Sequence, residues 1–478
     1  MDSIALLLSI ALPWCAGCAL LVAARWPFES SSNGRAPGSI ALVVGYGYFV
    51  GLLVMTAWMR LLSATGAGFG RFSIAAPLLV IAALMAHRIR KPVPMARIGA
   101  FAIAVVQPPL PRWQRIAWAA LLAGLSLRFA TLAVEIATRP LYPWDAWTQW
   151  ATKARVWYEL GRIVPFVQAD AWFAGGSGAY FDASPANPGT VPLLQAWSAI
   201  ALGRWDDSAT NWPWLFMLGA LALSIYGMLR GHVGPLAALT GAYLVASLPL
   251  LDTHVALAGY PDVMLAGTYT LSALALHRWA SGRDWRDGVL AVALGLACPL
   301  IEISGRVWLL TLLAGAVVAV APRAGLKLAA WGFAAAALAL LVLSRSTPMF
   351  SGLGLHLDYL SPWPSLADAY FLFDNWHLLW YAATVVAIVG ARRLLRPTVA
   401  PLTVVAAAAL ASLVVASMFS NDFASWFPDA RVVNRATVHV APLIVFLCTL
   451  LWRELTVSEA EPAVPAVTAR DAALVTDA

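Results

Sequence analysis

The sequence predicts an all-α, polytopic transmembrane helical protein with about 13 spans, each an apolar run long enough to cross a bilayer. Of the 478 residues, 61% are hydrophobic and only 12% are charged, and the mean hydropathy is +0.75. Soluble domains average about 45–50% apolar and about 25% charged residues. The 23 tryptophans often stand at the ends of apolar runs, where aromatic belts form. No segment is large or polar enough to predict a separate soluble domain.

Apolar runs of roughly 17–22 residues recur along the chain, as a hydrocarbon core of about 30 Å requires. The predicted spans lie near residues 3–24, 38–59, 72–88, 116–137, 211–230, 234–251, 262–279, 287–303, 305–321, 326–345, 371–391, 400–419 and 436–452. All four cysteines lie in apolar runs and are predicted to be buried. Cys15 and Cys18 have CxxC spacing, but no second pair or histidine cluster completes a metal site.

The spans divide into regions of different character. Residues 1–111 contain N-terminal transmembrane helices whose role the sequence leaves unexplained. Residues 112–345 form a core with a long outer loop at 138–210, and residues 346–453 form the C-terminal helices with further outer loops. Residues 454–478 are rich in Ala, Val, Pro and Thr and are predicted to be a disordered cytoplasmic tail.

Basic residues in short loops orient the predicted spans. The loops after the third, seventh, ninth and eleventh spans carry arginines and lysines and fall on one side, which is therefore predicted to be cytoplasmic. Residues 190–203 are apolar but too short to cross, and are predicted to be an interfacial or re-entrant helix on the outer face. The N-terminus then faces outward. The net charge of +7 belongs to these loops and does not indicate a nucleic-acid partner.

An amphipathic helix is predicted at the start of the first outer loop. Trp147, Trp150, Ala154 and Trp157 recur at helical spacing and form an apolar stripe. Asp145 stands at the N-terminus of this helix, where a carboxylate is electrostatically favoured. It is either a helix cap or a functional acid.

Further ionisable residues gather at the predicted outer face. Asp262 begins the seventh span, and Glu302 lies between two apolar runs, where an ionisable residue is a functional candidate by default. Glu302 could instead form a structural ion pair with Arg306, four residues on. Among the seven histidines, the predicted topology places three at the outer face: His254, His356 and His377.

Two arginines, Arg431 and Arg435, precede the last span on its outer side, against the positive-inside trend. They are either snorkelling anchors or binding groups for an anion such as a lipid phosphate.

Four stretches, in the same order along the chain, resemble motifs of bacterial GT-C glycosyltransferases. Residues 144–147 with 153–155 resemble the first outer loop, and 187–197 resemble the short interfacial helix after it. Residues 259–266 resemble the acidic motif of the second loop, and 434–442 a late Asn-Arg…Pro motif. The resemblance covers roughly residues 112–453. In two respects the chain departs from the family: Glu302 lacks the lysine of the usual Lys-x-Glu-Gly motif, and three additional spans precede the usual first helix.

The resemblance implies an enzyme at the outer, periplasmic face of a bacterial inner membrane, among membrane lipids. It would move a sugar from a polyprenyl-phosphate donor to a glycan, lipid or protein acceptor. Asp145 and Asp262 match the two catalytic acids, and an aspartate would act as the general base. The candidate residues for binding the substrate or the lipid phosphate are Lys153, Arg155, Glu302, Arg306, Arg431 and Arg435. The sugar, the acceptor and the cofactor stay open; Asp262 and His254 are candidate ligands if a divalent metal ion is used.

The alternative function is a membrane transporter or a flippase for lipid-linked sugars. It predicts buried charges near the bilayer midplane and an internal repeat. The sequence shows neither a repeat nor paired broken helices, and the candidate charges gather at one face. A non-catalytic scaffold is a third alternative.

Overall fold

A computed structural model describes residues 2–27, 37–89, 111–175, 179–343, 363–419 and 431–456 of the chain. The regular secondary structure of these residues is helical apart from two short strands, which confirms the all-α prediction. The helices of the bundle are α1 (Asp2–Ala23), α2 (Ser39–Ala64), α3 (Arg71–Ile89), α4 (Arg112–Thr138), α5 (Ala151–Leu160), α6 (Ala169–Phe173), α7 (Thr190–Leu202), α8 (Trp212–Arg230), α9 (Pro235–Ala246), α10 (Pro249–Ala256), α11 (Asp262–Gly282), α12 (Trp285–Ile301), α13 (Gly305–Val320), α14 (Pro322–Leu343), α15 (Trp363–Ala367), α16 (Leu379–Val389), α17 (Ala391–Leu394), α18 (Ala400–Phe419), α19 (Arg431–Val438) and α20 (Ala441–Thr456).

Every predicted span overlaps a described helix. Residues 234–251 overlap a helix pair rather than one helix, since α9 and α10 are bent by 58° at their junction. Six described helices are long and apolar enough to cross a membrane, and the number is seven if the bent pair counts as one span. These helices are those of a membrane protein, while the figure of about 13 spans stays a prediction.

The predicted outer loop 138–210 is folded. It contains a π-helical turn (Ala146–Trp150), α5, α6, α7 and the parallel strands β1 (Phe166–Val167) and β2 (Tyr180–Phe181). Trp150, Ala154 and Trp157 of the predicted stripe are buried, whereas Trp147 is half exposed and packs against Trp144.

Protein surrounds α7, the helix that the sequence places at the interface or in a re-entrant segment. Residues Thr190 to Ile200 are all buried, and α1, α2 and α5 pack against the helix. An interfacial helix would leave one face to headgroups and water. The interfacial alternative is therefore wrong, and the re-entrant one remains.

The N-terminal helices belong to the same packed body as the rest of the bundle. Small residues bring α1 and α2 together: a Cβ atom added to Gly17 would overlap the carbonyl oxygen of Gly47, and one added to Gly51 would overlap that of Pro13. Helix α2 also packs on α8, where the Tyr48 hydroxyl donates to the Pro213 carbonyl at 3.0 Å.

Some predictions fall outside the described residues. They concern most of the predicted outer loop at 346–370, the loop residues 420–430, His356 and residues 457–478 of the predicted tail.

The predicted orientation can be tested by cysteine labelling in intact cells, in a chain whose native cysteines are replaced by alanine. We expect Ala174→Cys, exposed beside α6, to react with a membrane-impermeant maleimide. Ser281→Cys and Arg393→Cys should react only after the membrane is permeabilised, because they lie in predicted cytoplasmic segments. Labelling of Ser281→Cys in intact cells would reverse the predicted orientation.

Candidate functional site

Five ionisable side chains from four separate segments meet in one place, which we call the carboxylate cluster. It consists of Asp145 at the π-helical turn, Asp262 at the start of α11, Glu302 after α12, and Arg435 and His439 in and after α19. The two acids predicted to be catalytic are therefore close together in the fold.

Arg435 lies at the centre of the carboxylate cluster and bridges the two aspartates. Its Nη1 donates to Oδ2 of Asp145 at 2.7 Å, and its Nε donates to both carboxylate oxygens of Asp262, at 3.0 and 3.1 Å. The guanidinium also lies over the Tyr260 ring, 4.4 Å from the ring centroid. An anchor that snorkels towards water would not be held by two carboxylates, so this alternative is excluded for Arg435.

The two aspartates differ in exposure. The Asp145 side chain is 33% exposed and that of Arg435 is 30% exposed, whereas that of Asp262 is fully buried. The prediction of Asp262 as a catalytic acid needs correction, because its carboxylate cannot contact a substrate in this arrangement. Asp262 instead accepts hydrogen bonds from Arg435 and His439 inside the protein.

Asp145 is not a helix cap. Its side chain makes no capping hydrogen bond to the backbone of the π-helical turn. Its hydrogen bonds come instead from Arg435 and, at 3.4 Å, from the side-chain amide of Gln149. The carboxylate thus binds within the cluster, and the functional role of Asp145 stays a prediction.

A tight turn between α10 and α11 brings Asp262 next to the first outer loop. Gly259 has a φ of +101°, which favours glycine, and a Cβ there would collide with Leu141 and Ala146. The Tyr260 carbonyl is fixed by the indole N–H of Trp214, at 2.8 Å. Burial raises the pKa of the Tyr260 phenol, so its hydroxyl stays neutral beneath Arg435.

The tautomer of His439 follows from its two partners. The Trp308 indole can only donate, and it donates to Nδ1 of His439 at 3.1 Å. In the neutral ring the proton therefore stands on Nε2, which donates to Oδ1 of Asp262 at 3.2 Å. On the other side of Asp262, Nδ1 of His254 lies 3.5 Å from Oδ2.

The residues present do not fit a resident metal ion in this arrangement. Ligand atoms of Asp262, Glu302 and His439 lie within 4.8 Å of one another, close enough to share an ion. However, Nε2 of His439 carries the proton and has no lone pair to offer in this tautomer. Asp262 already balances the charge of Arg435. Of the metal ligands proposed from the sequence, His254 does not belong to this group of three.

The other predicted binding residues have different surroundings. Oε2 of Glu302 accepts from the Ser304 hydroxyl at 2.9 Å and lies 3.6 Å from Nε2 of His439. Glu302 makes no ion pair with Arg306 among the described contacts, so the predicted structural pair is wrong. Arg155 and Arg306 are exposed. The side chain of Arg431 lies outside the described residues, although its backbone begins α19.

Lys153 does not belong to the carboxylate cluster. Its ammonium is buried, pairs with Asp182 at 2.6 Å and donates to the carbonyls of Ser184 and Asn187, at 2.8 and 3.2 Å. Burial lowers its pKa, although the Asp182 carboxylate opposes this shift. The prediction of a phosphate-binding role for Lys153 is therefore corrected. Its donors already bind other residues of the predicted outer loop 138–210, which we call the outer segment.

The buried ion pair between Lys153 and Asp182 predicts that replacing the lysine alone destabilises the fold. We expect Lys153→Met to destabilise the protein by about 3–5 kcal/mol, because it leaves the Asp182 carboxylate buried and unpaired. The double variant Lys153→Met/Asp182→Leu should recover much of that loss, because no charge stays buried. Thermal unfolding of the purified proteins in detergent measures both. Equal stability of Lys153→Met and wild type would show that the pair is dispensable.

Sequence reasoning missed His439 and Tyr260 as site residues. His439 was excluded because the predicted topology placed it inside the last span. A usable signal was its spacing, four residues after Arg435, which puts the two side chains on one side of a helical turn. Tyr260 lies in the stretch 259–266 that resembles the acidic motif, but its place beneath Arg435 depends on the turn at Gly259.

No known family, characterised protein or solved structure matches this chain.

Proposed function

We propose that the protein is a membrane glycosyltransferase that moves a sugar from a polyprenyl-phosphate donor to an acceptor hydroxyl at the outer face of the bacterial inner membrane. One observation carries the proposal: the bridge in which Arg435 binds the accessible Asp145 and the buried Asp262. This arrangement places a general base and an anion-binding guanidinium side by side, near helices that are long enough to cross a membrane.

The transfer step needs only these groups. The acceptor hydroxyl oxygen forms a bond to the anomeric carbon of the sugar while the bond from that carbon to the phosphate oxygen breaks. The acceptor proton passes to Asp145, and the bonding electron pair leaves with polyprenyl phosphate. A phosphate is a good leaving group without protonation, so no general acid is required.

Arg435 couples the two halves of the step. Its guanidinium has five N–H donors, and the described contacts use one on Nε and one on Nη1. The remaining donors are available to a phosphate, which guanidinium groups bind through paired hydrogen bonds. As negative charge develops on the leaving phosphate, Arg435 interacts more strongly with it and less with Asp145, which makes Asp145 a better base.

The buried side of the cluster keeps Arg435 in place. Asp262 accepts from both Arg435 and His439, and His439 is oriented by Trp308. An orientation fixed by such partners needs little rearrangement during the reaction, which is how preorganised groups lower a barrier. Arg306, Arg155 and Glu302 are further candidates for contacts with the substrates.

A transporter or flippase stays the second candidate, and the bend between α9 and α10 is the observation that favours it. Broken helices are common at transporter substrate sites, usually as a pair in the two halves of a repeat. Here the described residues contain one such bent pair. The second helix of this pair, α10, places His254 next to Asp262 of the carboxylate cluster, so the bend is also compatible with a glycosyltransferase.

A reconstituted assay separates the two functions. We would incubate the purified protein in lipid nanodiscs with polyprenyl-phosphate pentose and hexose donors and with envelope glycolipids as acceptors. Release of polyprenyl phosphate together with a heavier acceptor, measured by mass spectrometry, supports transfer. Movement of the intact donor across proteoliposomes, without its consumption, would instead establish a flippase.

The tautomer of His439 also predicts whether sugar transfer requires a metal ion. We expect sugar transfer to persist in EDTA, because Nε2 of His439 carries a proton in the assigned tautomer and Asp262 binds Arg435. Loss of transfer in EDTA that Mn²⁺ or Mg²⁺ restores in the wild type, but does not restore in His439→Ala, would contradict the assigned tautomer.

A further inference from the structure

A long apolar groove runs between α2 and α12, away from the carboxylate cluster. Its volume is about 440 Å³, and its lining is almost entirely apolar, including Val50, Leu53, Ala57, Ala293 and Leu296. The groove follows α12 from Trp285 to Leu300, a length of about 22 Å at the helical rise of 1.5 Å per residue.

The length and the apolar lining of the groove fit a hydrocarbon chain that lies along α12.

Charge distinguishes the two ends of the groove. At the end formed by the start of α12, Arg286 is bound to Asp284 and to the Arg25 carbonyl. At the other end, Nη2 of Arg60 donates to the hydroxyl of Thr190 at 2.9 Å. No carboxylate of the described residues lies within 4.0 Å of Arg60, which is half-buried. A half-buried guanidinium without an acidic partner fits an anionic ligand.

The Arg60 end adjoins the segment that supplies Glu302 to the cluster. The Thr190 hydroxyl, which accepts from Arg60, donates to the Leu300 carbonyl. Glu302 follows two residues later along the chain. Arg60 also belongs to the same end of the bundle as the outer segment, since the Ser63 hydroxyl accepts from the backbone N–H of Ile163 at 3.0 Å.

We infer that this groove holds the polyprenyl chain of the lipid-linked donor, with its phosphate on Arg60 before transfer. The inference rests on the proposed function, whose donor is a single-chain lipid phosphate. It gives the N-terminal helices a role: α1 and α2 form one wall of a lipid slot that opens to the bilayer.

Photo-crosslinking in nanodiscs tests the groove. The probe is a polyprenyl phosphate with a photoreactive group on its chain, and labelled peptides are mapped by mass spectrometry. We expect labelling of α2 and α12, competed by unmodified polyprenyl phosphate and not by phosphatidylglycerol. Ala293→Trp fills the slot, and Arg60→Gln removes a charged donor, so each should reduce labelling about tenfold or more.

Matched controls separate the groove from the bundle as a whole. Ala335→Trp on the exposed surface of α14 and Arg162→Gln in the outer segment should label like wild type. Equal competition by phosphatidylglycerol, or wild-type labelling of both groove variants, would overturn the inference.

The two proposals fail in different ways. Asp145→Asn should keep full labelling, because Asp145 does not line the groove. If both groove variants transfer sugar with an unchanged donor KM, the groove is not the binding site of the donor chain, and the proposed function still stands. Specific labelling without transfer from any donor would leave the lipid slot and remove the glycosyltransferase.

Discussion

Sugar transfer is expected to fall by about 10²–10⁴-fold in Asp145→Asn, the range typical for losing a general base. The asparagine side chain has nearly the same shape and can still accept from Arg435, but it cannot take up the acceptor proton. Arg435 keeps its second carboxylate, Asp262, so the cluster should stay assembled. The measurement is kcat for transfer with purified protein, beside thermal unfolding as a check on folding.

The matched control for this variant is Asp170→Asn. Asp170 lies on α6 in the same outer segment, is exposed, and is remote from the described contacts of the cluster. It should transfer sugar at the wild-type rate. Undiminished transfer by well-folded Asp145→Asn would show that Asp145 is only a structural partner of Arg435.

Arg435→Lys should lower kcat/KM by roughly 10–100-fold, which corresponds to the loss of one charge-assisted hydrogen bond of about 1.5–3 kcal/mol. A lysine keeps the positive charge, but its single ammonium cannot hold Asp145 through one nitrogen and Asp262 through another while it binds phosphate. We expect the donor KM to rise as well, because the same guanidinium contacts the donor phosphate. Donor titrations with purified protein measure both quantities.

Arg139→Lys provides the control, since Arg139 forms an exposed pair with Glu135 in the same outer region. Such surface pairs contribute about 0–1 kcal/mol, so lysine should serve there. If Arg435→Lys fails to fold, Arg435→Gln/Asp262→Asn removes both buried charges together and should restore folding without restoring transfer. Wild-type kinetics for Arg435→Lys would remove the guanidinium from the proposed mechanism.

Local chemistry along the chain was enough to locate the helices and the acids. Every span predicted from an apolar run overlaps a described helix, because a helix that crosses a bilayer needs apolar side chains whatever the fold. Asp145 stood out at the N-terminus of a predicted helix, and Arg435 stood out because it breaks the positive-inside trend. The predicted orientation still depends on the charge of the loops alone, and the number of spans on the apolar runs.

Contacts between distant residues were beyond the reach of the sequence. Lys153 and Arg435 both appeared as cations near the outer face, yet one is committed to Asp182 and the other bridges two aspartates. Asp145 and Asp262 appeared equivalent, yet only Asp145 is accessible. Such differences arise because burial and ion pairing depend on which segments the fold brings together.

The sequence by itself determined the all-α architecture and the apolar helices, since both follow from composition and periodicity within about 20 residues. The two candidate catalytic acids came from the resemblance to GT-C glycosyltransferases. Only the tertiary structure decided that Arg435 joins Asp145 to Asp262, that Trp308 sets the His439 proton, and that α2 and α12 enclose a groove ending at Arg60. The physical reason is the separation along the chain over which each interaction acts. Helix formation depends on neighbours a few residues apart, whereas the pairing of charges depends on side chains that lie far apart in the chain and meet only when the helices pack.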